Sequence, residues 1–421
     1  MSRNFPPTIP AIVQQHVDEA AALRNVRAYL VRAPHIKLKD LGRLDERIAA
    51  HLDGIAVSGP LGMHLCKVAL ERPARGEVFA AAVRYIESGF DEGLVNLMAL
   101  AEALPETWPG LHSAFGWASA ASLREIVSAL LHRNSVMAQL TGLAACAMHR
   151  VNPGIALESA LVSRCSVLSN RALRCAGEVG RCDLLRQCLK RLQSDDDECR
   201  FFAAKASLLL GDRQVALDAM VDVAQTPGPM RALATTLAMI AAEPDATRLL
   251  LDRVSSPPGD ERLTLRAIAH AGDTQNIPKL IELMSDTKLA RLAGEAFSFI
   301  TGADFIALQL DRPRHLAVRA VAGDSLGEDA DYEDEGLPWP DAEKVSAWWN
   351  RNARRFSPAR RYFVGAPPSW EHCLRVLQDG YQRQRVVAAH YLCLLRPGTI
   401  VFNCAAPAWR QLRGLNRLIG G

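Results

Sequence analysis

Small residues recur along the middle of this chain at a nearly constant interval, each after an apolar stretch. The series consists of Gly180, Gly211, Ala242, Gly272 and Gly302, so that successive members are 30 or 31 residues apart. A fixed period in this range is typical of helical-pair repeats, in which each unit buries its apolar face only against its neighbours. A glycine that ends an apolar run also suits a helix C terminus, where the backbone often takes a positive φ. We call these five positions the periodic series.

Mostly small residues also occupy fixed positions within each repeat. Eight residues before the members of the series lie Ala172, Ala203, Ala234, Thr264 and Gly294, and four before them lie Ala176, Ser207, Ala238, Ile268 and Ser298. Positions four apart share one helix face, and small side chains there allow helices to approach closely. A second amphipathic run follows, such as Ile277, Leu280, Ile281 and Met284. The pattern predicts an all-α fold, with an α-solenoid of antiparallel helix pairs over residues 91–310.

Three further segments lie outside the predicted solenoid. Residues 1–90 form a helical region, with helical patterns at 12–30 and 44–54. Residues 311–336 are predicted to be an acidic linker, because six carboxylates fall within positions 328–335. Residues 337–421 are rich in Trp and Arg, and their helical patterns at 370–378 and 382–395 predict an atypical repeat that caps the array.

Composition narrows the class of protein. Hydrophobic residues make up 49% of the chain but aromatic residues only 6%, which favours closely packed helices built from Ala and Leu. The net charge of +3 argues against a dedicated duplex-binding protein, so we expect nucleic acid not to be the partner. No apolar run is long enough to span a bilayer, and the first ten residues lack the pattern of a signal peptide. Ten scattered cysteines are typical of reduced thiols, so we expect a cytoplasmic protein.

Acidic and basic residues recur around the turns between repeats. The pairs are Asp197 with Arg200, Asp260 with Arg266, and Asp286 with Arg291. This arrangement resembles the HEAT repeat, in which such charges form a ladder along the solenoid. We expect these side chains to make structural ion pairs rather than to do chemistry.

Four longer stretches carry a more specific resemblance. They are LDERIAAHLDGI (44–55), AGEAFSFITGADF (293–305), LPWPDAEKVSAWW (337–349) and RQRVVAAHYL (383–392). In this order they resemble an uncharacterised proteobacterial family of HEAT-repeat (armadillo-like) proteins, often encoded near type VI secretion gene clusters. The resemblance implies a helical-repeat fold and partners among secretion-system components or effectors, and it transfers no catalytic residue. The piece at 297–302 also resembles HEAT repeats of phycobilin lyases.

Sequence motifs for catalysis are weak. Cys175 falls on a different helix from Cys182 and Cys188, and the chain contains no C-x-x-C pair, so we expect semi-buried thiols and no metal site. The His-Glu dipeptides of the HEAT-repeat di-iron enzyme deoxyhypusine hydroxylase are absent. The string around Ser325 fits G-x-S-x-G, but it lacks the preceding strand that a nucleophile elbow requires. We therefore predict no catalytic residue and no cofactor.

Arginine and aromatic residues are interleaved between positions 339 and 362. The residues that we predict to bind a partner are Trp339, Trp348, Trp349, Arg354, Arg355, Arg360 and Arg361. Such a mixture can stack on bases or hold an acidic partner. Two alternatives are structural, since the acidic linker could fold back onto the arginines or the tryptophans could pack the last repeat.

Two functions of different classes fit the sequence. The first is a non-enzymatic scaffold or adaptor for protein–protein interaction, with a link to type VI secretion supplied by the resemblance. The second is a HEAT-like lyase or a nucleic-acid-processing enzyme that uses the solenoid as a cradle. The lack of a convincing acid/base set favours the scaffold.

Overall fold

The computed structural model describes residues 8–255, 260–312 and 333–420. Across these ranges the chain forms 22 α-helices and no β-strand, which confirms the predicted all-α class. The helices preceding Gly180 are α1 (Pro10–Leu30), α2 (Leu38–Val57), α3 (Gly59–Ala69), α4 (Arg75–Ser88), α5 (Asp91–Ala103), α6 (Trp108–Trp117), α7 (Ala120–His132), α8 (Val136–His149), α9 (Ile155–Leu161) and α10 (Ser166–Val179). Those following it are α11 (Leu185–Lys190), α12 (Asp197–Leu209), α13 (Val215–Gln225), α14 (Arg231–Ala241), α15 (Pro244–Val254), α16 (Glu261–Ala271), α17 (Ile277–Leu283), α18 (Ala290–Thr301), α19 (Ala342–Asn352), α20 (Trp370–Asp379), α21 (Gln382–Leu395) and α22 (Ala408–Gly420).

Short 3-10 helices supplement the α-helices. They lie at Pro105–Thr107, Cys182–Leu184, Arg191–Gln193, Thr274–Asn276 and Ala353–Arg355. Within the described ranges, no helix combines the length and the apolar character needed to cross a membrane.

The chain divides into two compact units. Unit 1 comprises Met1–Arg32, Ile36–Val179 and Phe402–Gly421, and unit 2 comprises Ala33–His35 and Gly180–Val401. The range 91–310, predicted as one solenoid, therefore contributes to both units. The end of the predicted 337–421 module belongs to unit 1, because the Ala408 amide donates to the buried Asp45 carboxylate at 2.7 Å and Arg410 donates to carbonyls at the end of α6.

The core of unit 1 is built on α1 and α4. Helix α1 packs against α2, α3 and α4, and α4 packs against α6. Val13, Val17, Ala20 and Ala21 are all buried and form the apolar face of α1. The largest side chains in this core, such as Phe79 and Phe115, are almost completely shielded from solvent.

All five positions of the periodic series lie in unit 2. Helix α14 contacts both α12 and α16, and α16 also contacts α18, so alternate helices pack on one another. Ala203 and Ala234 are completely buried, as expected of small residues that allow close helix contact. The members of the series lie one or two residues beyond the ends of α10, α12, α14, α16 and α18. The sequence period therefore marks helix ends, whereas the identification of these pairs as HEAT-like repeats remains a prediction.

The glycines of the periodic series adopt a positive φ and also lie in close contact with other parts of unit 2. Gly180, Gly211, Gly272 and Gly302 have φ values of 73°, 115°, 68° and 71°, which lie in the region that favours glycine. A Cβ on Gly272 would lie 2.2 Å from the carbonyl oxygen of Tyr362, so backbone from the C-terminal part of unit 2 packs directly on this helix end. At Ala242 the backbone φ is −68°, and alanine is accommodated there.

We call residues 361–365 the strap, and three of its backbone amides donate to these helix ends. The amide of Tyr362 donates to the Gly272 carbonyl at 2.9 Å, and that of Val364 donates to the Phe299 carbonyl at 2.6 Å. The amide of Gly365 donates to the Ile300 carbonyl at 3.0 Å. The last carbonyls of a helix have no partner within the helix, so the strap supplies donors that α16 and α18 otherwise lack.

We predict that Gly272→Ala destabilises the protein more than Gly89→Ala. Both glycines end a helix with φ of 68°, so both substitutions incur a backbone cost of about 1–2 kcal/mol. No atom lies within 4 Å of a Cβ on Gly89, whereas a Cβ on Gly272 would collide with the strap. The additional loss in the free energy of unfolding at Gly272 should be about 1–3 kcal/mol in urea titrations followed by circular dichroism. Equal losses for the two variants would show that strap packing is unimportant.

Candidate functional sites

The tryptophans predicted to bind a partner pack within unit 2. Trp348 and Trp349 are half-buried on α19 and make edge contacts with Phe297, with ring centroids 5.7 Å and 6.4 Å apart. Trp349 also contacts Phe356 at 5.3 Å. The Arg291 guanidinium lies over the Trp339 ring at 5.1 Å. These contacts correspond to the structural alternative for the aromatic part of the segment.

The Arg361 side chain is hydrogen-bonded at the ends of two helices and is only partly exposed. Its guanidinium donates to the carbonyls of Ile240 (3.0 Å), Ala242 (2.7 Å) and Ala271 (3.2 Å), and to the Thr247 hydroxyl at 2.6 Å. The three carbonyls lie at the C-terminal ends of α14 and α16. A planar guanidinium with five donors suits such a cluster of acceptors, so Arg361 serves a structural purpose.

The remaining predicted arginines are exposed. Arg354, Arg355 and Arg360 project from the 3-10 helix and loop that follow α19. Arg355 donates to the Asn352 side chain at 3.1 Å, and the neighbouring Arg351 is also exposed. The predicted partner-binding set therefore separates into packed residues and an exposed cationic group, which we call the basic edge (Arg351, Arg354, Arg355 and Arg360).

The end of the predicted acidic linker departs from the expectation of a solvated run. Asp334 is only 2% exposed, and the Arg262 guanidinium donates to both of its carboxylate oxygens, at 2.9 Å and 2.5 Å. This hydrogen bonding raises the pKa of Arg262 above its ordinary value. Glu333 pairs with Arg266, so Arg266 does not serve the predicted repeat-turn pair with Asp260. Glu328, Asp329, Asp331 and the G-x-S-x-G string at Ser325 lie outside the described residues.

Unit 1 contains a second candidate site, which the sequence analysis missed. A pocket of about 340 Å³ is lined by residues of α1, α4, α6, α8 and α10, together with residues that follow α1 and α8 and the loop before α22. Six arginines line it, together with His112 and a single carboxylate, Glu178: they are Arg24, Arg27, Arg32, Arg150, Arg171 and Arg174. We call this site the arginine pocket.

Burial and the neighbouring positive charges lower the pKa values of two residues in the arginine pocket. Burial, reinforced by the charges of Arg75 and Arg27, lowers the pKa of Arg24 to about 10. Burial and the neighbouring Arg171 and Arg174 lower the pKa of His112 to about 4, so this imidazole is neutral at pH 7. Both shifts oppose positive charge, as expected where cations lie close together in a partly desolvated space.

One clue to the arginine pocket was present in the sequence. Arg171, Arg174 and Glu178 are spaced three, four and seven apart, which places them on one face of a helix. Nothing in the local pattern shows that Arg24 of α1 lies at the same pocket. That proximity is a product of tertiary packing.

Most of the cysteines lie in the interior of the protein. All ten cysteines are described, and eight of them are buried. Burial raises the pKa of the Cys175 and Cys188 thiols to about 12, so both are protonated at neutral pH. Among the residues described, no group of three or more His, Cys, Asp or Glu side chains is placed to hold a metal ion.

Comparison with known proteins adds no functional assignment. No family model matches the chain, and no curated protein matches it. One solved structure, the crystal structure of an engineered protein from a structural genomics consortium, is similar at 13% identity and a TM-score of 0.31. The similarity covers 80% of this chain and 98% of the engineered protein.

We predict that Arg361→Ala and Arg360→Ala differ sharply in stability. The first substitution removes the donors of three carbonyls and one hydroxyl and should reduce the free energy of unfolding by about 3 kcal/mol. The second truncates an exposed neighbour and should change it by less than about 0.5 kcal/mol. Urea unfolding monitored by circular dichroism measures both. If Arg361→Ala were as stable as Arg360→Ala, the structural assignment of Arg361 would be wrong.

Proposed function

We propose that this protein is a non-catalytic helical scaffold whose basic edge binds an acidic surface on a protein partner. The sequence resemblance supplies the secretion-related context for that partner. The non-catalytic part of the proposal rests on the sequence, which contains no convincing acid/base or nucleophile set.

Helix packing in unit 2 supports the scaffold part of the proposal. Alternate helices contact one another from α12 to α18, and buried alanines lie at the contacts. This is the packing that stacked helix pairs of the HEAT type require. Repeat arrays of this kind offer long binding surfaces and are widely used for protein recognition.

The proposal rests on a contrast within residues 351–362. Side-chain packing holds their backbone in place, whereas the four arginines of the basic edge are exposed. Phe356 and Tyr362 are buried with their rings 5.0 Å apart, and the Tyr362 hydroxyl accepts a hydrogen bond from the Ser357 amide at 2.8 Å. Arg354 and Arg360 project from this held segment into solvent. Presenting charges from an ordered backbone reduces the entropy that binding must overcome.

The chemistry of the basic edge favours an acidic protein surface as the partner. Arginine is enriched at protein interfaces, and its guanidinium binds carboxylates through two parallel hydrogen bonds. The two carboxylates of the predicted acidic run that pack into the described structure do not neutralise it, because Asp334 pairs with Arg262 and Glu333 with Arg266. A partner that supplies carboxylates fits this unmatched charge.

The test is a charge reversal with a matched control. Arg354, Arg355 and Arg360 are replaced by Glu in one variant, and the exposed Arg186, Arg253 and Lys279 of unit 2 are replaced by Glu in the other. Both variants carry the same net charge. Crosslinking and mass spectrometry on tagged protein expressed in its host should recover one acidic partner with the parent and the control, but not with the basic-edge variant.

Salt provides a second readout of the same contact. Because exposed charges are screened over about 8 Å at physiological ionic strength, recovery should fall as salt is raised. Recovery of the partner with the basic-edge variant at the parental level would refute the proposed contact. Recovery of nucleic acid in place of a protein would favour the processing-enzyme alternative.

A further inference from the structure

The arginine pocket of unit 1 has a strong excess of positive charge. Its single lining carboxylate, Glu178, accepts from Arg171 at 3.1 Å and Arg174 at 2.9 Å, and it lies 3.4 Å from Arg150. One carboxylate cannot neutralise three guanidinium groups. The imbalance is larger when the other side of the pocket is included.

Arg24 lies on that other side and is held without a counter-ion. Its guanidinium donates to the Pro109 carbonyl at 2.6 Å, to the Ser113 hydroxyl at 2.7 Å and to the Asn25 side chain at 3.0 Å. All three acceptors are neutral, and Arg24 is only 6% exposed. Burial of a charge that lacks an opposite charge is costly, so its retention calls for an additional reason.

Two buried nitrogen atoms of the pocket residues also lack a hydrogen-bond partner. They are Nε2 of His112 and Nε of Arg171, and neither atom has an acceptor among the described residues. Buried polar groups in proteins are almost always hydrogen-bonded, and an exception calls for an explanation, of which a bound water or ion is one. By contrast, Arg27 is fully occupied by Asp45 and by the Ala405 and Ala406 carbonyls.

From these observations we infer that the arginine pocket binds a small anion with two or more negative charges, carried by phosphate or carboxylate groups. Guanidinium groups recognise both kinds of group through paired hydrogen bonds. A volume of about 340 Å³ lies at the lower end of the range for small-molecule sites. Phe79, Trp117 and Met148 also line the pocket, so a short carbon framework fits beside the anionic groups.

This site is independent of the basic edge. The arginine pocket lies entirely in unit 1, whereas the basic edge belongs to unit 2. Failure of one proposal therefore leaves the other unaffected.

The test is calorimetric titration of the full-length protein with pyrophosphate and, separately, with citrate. We expect saturable 1:1 binding of at least one of these anions at constant ionic strength, with acetate as a monovalent control that does not bind. Binding of pyrophosphate alone would identify a phosphate ligand, and binding of citrate alone a carboxylate ligand. The inference is overturned if neither anion binds, or if acetate binds as well as they do.

Three variants locate the binding in the pocket. Arg174→Gln, whose side chain is 48% exposed and therefore tolerant of change, should weaken binding roughly tenfold. Glu178→Gln should strengthen it several-fold, because it removes the carboxylate that competes for three arginines; a merely structural role for Glu178 does not predict this gain. Arg43→Gln, at an exposed position of α2, should leave affinity unchanged. Unaltered affinity in both pocket variants, with circular dichroism showing that they are folded, would exclude the pocket as the site.

Discussion

The stability of unit 2 depends on hydrogen-bond donors for the last carbonyl groups of its packed helices. The Arg361 side chain donates to carbonyls at the ends of both α14 and α16. The strap amides donate to carbonyls at the end of α16 and in the last turn of α18. Without these donors, several buried carbonyls would have neither a protein partner nor free access to water, which costs about 1–3 kcal/mol for each group. Gly272 and Gly302 follow from the same requirement, because only a residue without a Cβ allows the strap to approach these helix ends so closely.

The same need for donors at the helix ends explains why residues 339–362 divide into a packed part and the exposed basic edge. The rings of Trp348 and Trp349 hold the segment against Phe297 of α18, and Arg361 fixes its far end. The arginines between these anchors gain no structural contact of comparable extent and remain exposed. A segment that is anchored at both ends and charged in the middle is a suitable binding element, since little conformational freedom is lost when a partner binds.

Local patterns in the sequence predicted several helices, although the helix predicted at 44–54 is part of the longer α2 (Leu38–Val57). The period of small residues marked the ends of five helices, and the patterns at 370–378 and 382–395 correspond to α20 and α21 within one residue.

The contacts of individual charged residues were less predictable. Arg361 and Arg360 are adjacent and identical in type, yet only tertiary packing places helix ends beside the first of them. Asp334 looked like part of a solvated acidic run, but Arg262 binds it in a buried site. The arginine pocket combines residues distant in sequence, which no local period can reveal.

Amide hydrogen exchange on the intact protein tests most directly whether the strap is an integral part of unit 2. The amides of Tyr362, Val364 and Gly365 donate to Gly272, Phe299 and Ile300. If these bonds hold the helix ends, the three amides should exchange as slowly as those in the last turns of α16 and α18, because both open in the same event. Rapid exchange of the strap amides while the helix amides stay protected would contradict the account, since the helix ends would then be stable without the strap.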